Sequence, residues 1–281
     1  MSKTVEEYRQ IGLRTWEELA PKWAARRESV ERSVDDIRAW LVRELGASPG
    51  DVVLELAAGV GETGFEVAEQ TSGVRLVSTD AVPGMVDAAR TRARERGIDD
   101  VEFDVTGAED LPFDDDAFDR VVCRFGYMLM ADPARALAET RRVLRPGGRL
   151  VLAVWGPPDR NPVFANIGMV MTRLGHVPPP DPEAPSIFAL ADQDRLRGLL
   201  ADAGFSRVRI EGVGARFHFE SVVEYLDLLR DTGGGLAPVL RALAPADLAR
   251  VRAELEKAFA PYRAEVGGFH LCGLAWCVVA S

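Results

Sequence analysis

The sequence predicts a doubly wound α/β fold, and three observations carry that prediction. Short Val-rich apolar runs alternate with amphipathic helical segments between residues 50 and 155. The first run feeds a glycine-rich turn that opens a helix, and the second ends on an acid, Asp80. Strands separated by helices pair in parallel through right-handed crossovers.

Residues 1–48 read as helical, with Val34, Ile37, Leu41 and Leu45 on one face at spacings of three and four. Gly46 and Pro49-Gly50 end the segment. Val52–Leu56 is too short for a helix and reads as a buried strand. Val74–Thr79 is the second strand. The helix Pro83–Arg96 turns Met85, Val86, Ala89 and Ala93 inward, gathers arginines toward its C-terminal end, where they complement the dipole, and stops at Gly97. Val101–Val105 and Arg120–Cys123 are the third and fourth strands. Asp132 caps the next helix, Pro133 opens it, Leu137, Arg141 and Leu144 lie on it, and Pro146-Gly147-Gly148 terminates it. Arg149–Val154 is the fifth strand. A sixth unit runs from Asp192 as cap, through Leu196, Leu199 and Leu200, to Gly204 and a strand Val208–Glu211. Leu271–Ala280 is expected to return as an edge strand.

Two segments break the alternation. Residues 156–191 are Pro-rich, with Pro178-Pro179-Pro180, Pro182 and Pro185. Loops of that length in compact domains serve as functional lids or stay disordered. Residues 217–265 hold two helical patterns, Val222–Leu229 and a second one on Leu248, Val251, Leu255 and Phe259, with a joint at Gly233-Gly234-Gly235. The expected organisation is an N-terminal helical cap (1–48), a core (49–155), a Pro-rich insertion (156–191), and residues 192–281. The last completes the core around a helical insertion at 213–268.

The chain carries 34 Lys+Arg against 44 Asp+Glu, a net charge of −10. Residues 99–119 contain ten acids and no base, so the rest of the chain is neutral. That stretch reads mostly as a solvated loop, and the charge disfavours nucleic acid and acidic lipid as partners. No apolar run approaches the ~18–20 residues of a membrane span, and no signal-like apolar region follows the start, so a cytoplasmic location is expected. Cys123, Cys272 and Cys277 lack metal-ligand spacing and are expected to be reduced core residues, with no metal site.

Gly59-x-Gly61-x-x-Gly64 matches the dinucleotide fingerprint in form. Such glycines permit a tight strand-to-helix turn and close approach of a ligand to the backbone. Asp80 is placed to accept from a ribose, so a nucleoside cofactor is expected at the carboxyl ends of the strands. Glu55, four residues before Gly59, suits a ligand bearing a cation or ammonium. A pyrophosphate would be repelled by Glu55 and Glu62. Carboxylates are rarely buried without a partner, which marks Glu55 as functional. An NAD(P)-dependent oxidoreductase is the alternative on this pattern.

The motifs around the glycines resemble those of class I S-adenosylmethionine-dependent methyltransferases, in the ubiquinone/menaquinone-biosynthesis-like (methyltransferase type 11) group. The resemblance rests on Val53–Gly61, Ser78-Thr79-Asp80 with Met85 and Ala88-Ala89-Arg90, Ala108–Phe113, Phe118-Asp119, and Arg142–Leu150. It implies a Rossmann-like seven-stranded sheet, six strands parallel and the last antiparallel, with N-terminal helices and a helical lid. It implies S-adenosyl-L-methionine as cofactor and a small, apolar methyl acceptor, methylated on O, N or C. Glu55, Ala57 and the Gly59–Gly61 turn would hold the methionine moiety. Asp80 would bind the ribose, Ala81 would pack on adenine, and Ala108 and Glu109 would border the adenine edge. Arg124 and Phe125 would flank the methionine and the reacting sulfonium. One departure stands out: Gly107 occupies a position where many relatives carry an Asp that accepts from the adenine amino group, so Asp104 or Glu109 would have to substitute. A relative that keeps the cofactor pocket without transferring methyl groups is a further alternative.

Trp16-x-x-Leu-Ala-x-x-Trp23 resembles a segment that lies over the cofactor, against the plain reading of a helix face packed on the core. Tyr127 and Met128 are on the acceptor side in relatives. His176, in the Pro-rich insertion, is the candidate general base if the acceptor must lose a proton. His218, flanked by Phe217 and Phe219 in alternation, reads as an ordinary strand position.

Overall fold

The computed structural model describes residues 3–181 and 184–281; Pro182 of the proline cluster lies outside them. One seven-stranded sheet organises the chain, in the order β3-β2-β1-β4-β5-β7-β6. The strands are β1 (Val52–Glu55), β2 (Arg75–Asp80), β3 (Val101–Val105), β4 (Phe118–Arg124), β5 (Leu144–Trp155), β6 (Val208–Phe219) and β7 (Phe269–Ala280). β1 through β5 pair in parallel, and β7 runs antiparallel to both β5 and β6. The chain order reverses between β1 and β4, so the switch point lies at their carboxyl ends.

Ten α-helices flank the sheet among the described residues: α1 (Val5–Ser33), α2 (Asp35–Leu45), α3 (Glu62–Gln70), α4 (Pro83–Arg96), α5 (Pro133–Val143), α6 (Pro162–Arg173), α7 (Gln193–Asp202), α8 (Val222–Thr232), α9 (Leu236–Ala242) and α10 (Pro245–Phe259). Local chemistry explains their starts. Thr4 and Glu7 form a reciprocal capping box on α1. Asp132 accepts from Arg135 N on α5, Asp192 from Asp194 N and Arg195 N on α7, and Ser221 from Glu224 N on α8. The aliphatic face of α2 (Ile37, Trp40, Leu41, Leu45) packs on the sheet. α1 instead buries only Leu19, Ala20 and Glu31, and packs on α4 and α8.

The sheet and most helices fall where the sequence predicts them, with several corrections. The last strand is not an edge strand: β7 lies between β5 and β6, and β6 forms the edge. β6 continues to Phe219, so the helical insertion starts near 220 rather than 213. Leu144 begins β5 rather than closing α5. The Pro146-Gly147-Gly148 signal falls on a register shift between the Phe118↔Leu144 and Arg120↔Arg149 pairs, where Gly147 has φ +80. The Pro-rich insertion contains α6, and a third helix, α9, follows the triple-glycine joint. Cys123 and Cys277 are buried as expected, but Cys272 is exposed, because it lies on the outer face of β7. Most acids of the acidic stretch are exposed as expected, and Glu102, Glu109, Asp110, Asp115 and Asp119 pair with arginines from outside it.

Candidate functional site

The site is built from the loops after β1, β2, β3 and β4. Ala57 (φ 49) and Phe125 (φ 62) are non-glycine residues in the left-handed region, each just beyond the end of a central strand. Such conformations persist only where the surroundings enforce them, and they cluster at functional sites. The two loops touch. A Cβ on Gly126 would stand 2.7 Å from Ala57 Cβ and 2.6 Å from Cys123 Sγ.

Two carboxylates, the buried Glu55 and the half-buried Asp80, clamp the glycine turn. Glu55 is 3% exposed; its Oε1 accepts from Gly64 N at 2.9 Å and its Oε2 from Ser78 Oγ at 3.2 Å. The first turn of α3 has no capping side chain of its own, and Glu55 satisfies one of its free N–H groups from the strand. The sequence argument that a buried Glu lacks a structural role is therefore corrected: Glu55 is a tertiary helix cap. Asp80 works from the other side. Its Oδ2 accepts from Gly59 N at 2.9 Å and its Oδ1 from Val82 N at 3.0 Å, with Ala81 N also donating. Burial pushes the Glu55 carboxyl up to about 7, against the pull of Gly64 N–H, Arg124 and Ser78. Burial likewise pushes Asp80 up to about 6, opposed by its three backbone donors.

These shifts give a pH prediction. Both carboxyls hold their protons more tightly in the folded protein than in the unfolded chain, so stability falls as pH rises from the unfolded values through about 6 and about 7. Glu31, held low by Arg124 and Arg38 in spite of burial, acts oppositely and loses its contribution only in acid. The melting temperature of the ligand-free protein should fall between about pH 5 and 8, by an amount on the order of 2 kcal/mol of stability for Glu55. Glu55→Gln should flatten that fall; a flat profile in the unsubstituted protein would contradict the assignment.

The three glycines have different jobs. A Cβ on Gly59 (φ +58) would meet nothing within 4 Å, so this turn presents open backbone. A Cβ on Gly61 would strike the Phe65 ring at 2.5 Å. One on Gly64 would lie 2.4 Å from Glu55 Oε2 and 3.0 Å from Leu76 Cδ2. Gly64→Ala should therefore destabilise the protein by about 1–3 kcal/mol in urea unfolding, because the fixed carboxylate has to move. An unchanged midpoint would show that Glu55 is not held as described.

A Cβ on Gly107 would lie 3.8 Å from Ala81 Cβ across the next gap, and Ala81 lines an open cleft of about 520 Å³ with Leu13, Arg14, Glu17, Val82 and Pro83. Ala108 is buried beside it in the chain. The two expected substitutes for the missing adenine acceptor stand differently. Asp104 is exposed on the edge strand β3. The Glu109 carboxylate accepts from Asp132 N at 2.8 Å and from Arg9 of α1.

α1 crosses this whole mouth. Arg9 pairs with Glu109 near its start, Glu17 accepts from Gly84 N at 3.0 Å, and Glu31 pairs with Arg124 near its end. The 22 residue-to-residue steps from Arg9 to Glu31 span roughly 33 Å of helix. Trp16 and Trp23 meet edge to face at 5.5 Å and pack on Ala20, Val82 and Met85. Arg26–Asp231 and Arg241–Glu18 pairs tie the same helix to α8 and α9.

On the other side of the switch point, Phe125 stacks on Trp155, centroids 4.3 Å apart at 11°. Trp155 touches Phe164 of α6 at 4.8 Å, and Phe164 meets Phe217 of β6 at 5.5 Å. The expected pocket residues Tyr127 and Met128 are corrected to core positions. They are 1% and 2% exposed, the Tyr127 hydroxyl meets Thr140 Oγ1 at 2.6 Å, and Met128 sulfur accepts from Trp155 N. His176 lies in the turn after α6. His218 of β6 faces His270 of β7 on the exposed side of the sheet, three and two strands beyond β4. Sequence reasoning missed Glu31, Arg38 and Thr63. Among the described residues no cluster of His, Cys, Asp or Glu could hold a metal ion, and no helix is long and apolar enough to cross a membrane.

The site also fits a nucleoside carrying an amino-acid tail on the structure's own terms. The Gly59 turn is open, and the Thr63 hydroxyl, 1% exposed at the start of α3, has no hydrogen-bond partner. This sheet order, with donors and acids at its switch point, defines an S-adenosylmethionine-dependent methyltransferase of class I. A family model described as the ubiE/COQ5 methyltransferase family matches residues 35–218, and the chain belongs to that family. It is 34% identical over 177 residues to a demethylmenaquinone methyltransferase from Deinococcus radiodurans, covering 60% of this chain and 73% of that one. It is 30% identical over 222 residues to a ubiquinone/menaquinone biosynthesis C-methyltransferase UbiE from Francisella philomiragia, covering 70% and 88%. The fold resembles the crystal structure of the YcgJ protein from Bacillus subtilis, at TM-score 0.61 and 19% identity over 86% of this chain and 96% of that one. The oxidoreductase alternative is thereby set aside.

Proposed function

We propose that the protein transfers a methyl group from S-adenosylmethionine to a ring carbon of a reduced, quinone-type aromatic molecule. The observation that carries this reading is the Phe125–Trp155 stack, which begins one residue beyond β4 and offers a flat aromatic wall beside the donor loops. The names of the relatives, a demethylmenaquinone methyltransferase and a C-methyltransferase, support the same acceptor chemistry.

The bound sulfonium supplies an electrophilic methyl group. Asp80 binds the ribose, Ala81 and Ala108 enclose adenine, and backbone groups near Gly107 read its edge in place of a carboxylate. Glu55 places negative charge under the turn that carries the cationic end, alongside Ala57, Gly59 and Gly61. Phe125, backed by the buried Trp155, holds the acceptor ring flat. α1, with Trp16 and Trp23, excludes water. A hydroquinone hydroxyl pushes electron density onto the adjacent ring carbon; the carbon–methyl bond forms as the methyl–sulfur bond breaks to a neutral thioether, and the ring proton passes to solvent water when the site opens for product release. No step is assigned to His176. The reading keeps a small-molecule partner, no nucleic acid, and a cytoplasmic location.

The test is transfer of labelled methyl to a 1,4-naphthoquinone without a ring methyl, presented reduced and oxidised. Label should enter the reduced form only. Equal labelling of both forms, or none, would refute the acceptor assignment. A second reading has one observation behind it: the family match ends at residue 218, so α8, α9 and α10 lie outside it. On that reading the acceptor is a different small apolar molecule, and a simple phenol or amine would be labelled instead.

A further inference from the structure

A buried charge cluster sits where α1, α2, α3 and β4 converge. Glu31 of α1 is 8% exposed and takes Arg124 in a two-pronged pair, with Nη1 at 2.8 Å and Nη2 at 2.5 Å. It also accepts from Arg38 of α2 at 2.6 Å. Arg38 has two further acids, Asp35 at 2.7 Å and Glu66 of α3 at 2.5 Å. Arg124 has Glu31 alone as its acidic partner among the described residues. The Thr63 hydroxyl, unpartnered and buried, lies three residues before Glu66 and so on the same face of α3. That face is the one Arg38 binds.

A buried ion pair is a poor source of stability, because desolvating two charges offsets most of their attraction. A guanidinium fork, however, accepts any carboxylate in the same two-pronged geometry. The free α-amino acid group carries the same two charges as this pair, a carboxylate and an ammonium. An amino acid can therefore be inserted into the pair with every charge still matched: its carboxylate replaces Glu31 on Arg124, and its ammonium replaces Arg124 on Glu31. Arg38 would keep Glu31 in place during the exchange, since that bond is independent of Arg124.

We infer that the Glu31–Arg124 pair, with the Thr63 hydroxyl, is the docking point for the amino-acid end of the methyl donor. The inference rests on the donor site proposed above and sharpens it. Arg124 binds the carboxylate, Thr63 donates a hydrogen bond to the same group, and Glu31 receives the ammonium. Because Glu31 belongs to α1, the helix over the mouth is joined to β4 through the ligand whenever the donor is bound. Glu55 is not needed for direct contact; it caps α3 behind the cluster and interacts with Arg124 through its charge.

The test compares two ligands that share the adenosine and thioether but differ in the amino-acid end. S-adenosylhomocysteine has it, and 5′-methylthioadenosine lacks it. Calorimetric titrations would use the unsubstituted protein, Arg124→Gln, Glu31→Gln and Thr63→Val, with Arg124→Lys as a conservative variant should Arg124→Gln fail to fold. Each variant should bind S-adenosylhomocysteine about tenfold or more weakly, since one partner of a buried charge-assisted contact is removed, while its affinity for 5′-methylthioadenosine stays within about twofold. A purely structural role would weaken both ligands alike, and that result would overturn the inference. So would equal affinity of the unsubstituted protein for the two ligands, which would leave the donor site itself intact. Binding of neither ligand would refute the donor site and this inference together.

Discussion

Asp80→Ala is expected to abolish useful cofactor binding while leaving a folded protein. The substitution leaves the N–H groups of Gly59, Ala81 and Val82 without their acceptor. Asp80 is half-buried, so water recovers part of the loss, and the stability cost should be about 2 kcal/mol. Two effects add at the ligand. The ribose loses its acceptor, and the Gly59 turn loses the clamp that shapes it. Together they should weaken S-adenosylhomocysteine by about a hundredfold or more, equivalent to roughly 2.8 kcal/mol. Asp80→Asn, which retains one acceptor oxygen, should fall between. Calorimetry for affinity and urea unfolding for stability separate the two consequences. Wild-type affinity in a folded Asp80→Ala protein would remove Asp80 from the site.

The second large effect is expected at Phe125, on the acceptor rather than the donor. Phe125→Gly removes the ring that stacks on Trp155, a contact worth about 0.5–1.5 kcal/mol beyond its area. It also relieves a bulky residue at φ 62, where strain of order 1–3 kcal/mol is stored and glycine is comfortable. Strain relief offsets the lost stacking, but the apolar burial of a ring packed against the core is lost as well, so the melting temperature should fall while the protein stays folded. Methyl transfer should nonetheless fall by about tenfold or more, because an acceptor without its flat wall loses alignment with the donor. Affinity for S-adenosylhomocysteine should hold. A variant with full turnover would place the acceptor elsewhere, whereas loss of donor binding would put Phe125 on the donor.

What the sequence discloses and what it hides follow from the range of each signal. β1, β2 and β3 are short apolar runs bounded by turn residues, and such local patterns are legible. The position of β7 is not, since nothing within Leu271–Ala280 states which strands it pairs with. In β6 the alternation of Phe217 and Phe219 around His218 marks a strand, and both are buried while His218 is exposed, but nothing local shows that it continues the strand begun at Val208. The glycine turn, Glu55 and Asp80 are legible because the chemistry is packed into adjacent residues. Glu31 and Arg38 are not, because a helix rich in Glu and Arg offers no way to tell which pair is buried. Thr63 had only its place beside the turn to mark it. The Tyr127–Met128 expectation fails because chain proximity to a site does not specify which way a side chain turns; here both turn into the core. Glu55 also has a structural partner set that its sequence context hides, since the N-terminus of α3 satisfies one of its oxygens and Ser78 the other.

The most direct measurement follows the methyl carbon itself. The protein would be incubated anaerobically with S-adenosylmethionine labelled with carbon-13 in the methyl group and a reduced naphthoquinone that lacks a ring methyl. Carbon NMR of the product distinguishes a methyl on a ring carbon from one on oxygen. The site described here predicts a single labelled aryl methyl, with Phe125→Gly strongly reducing its yield and Asp80→Ala abolishing it at low donor concentration. Label found on oxygen, or no labelled quinol at all, would contradict it.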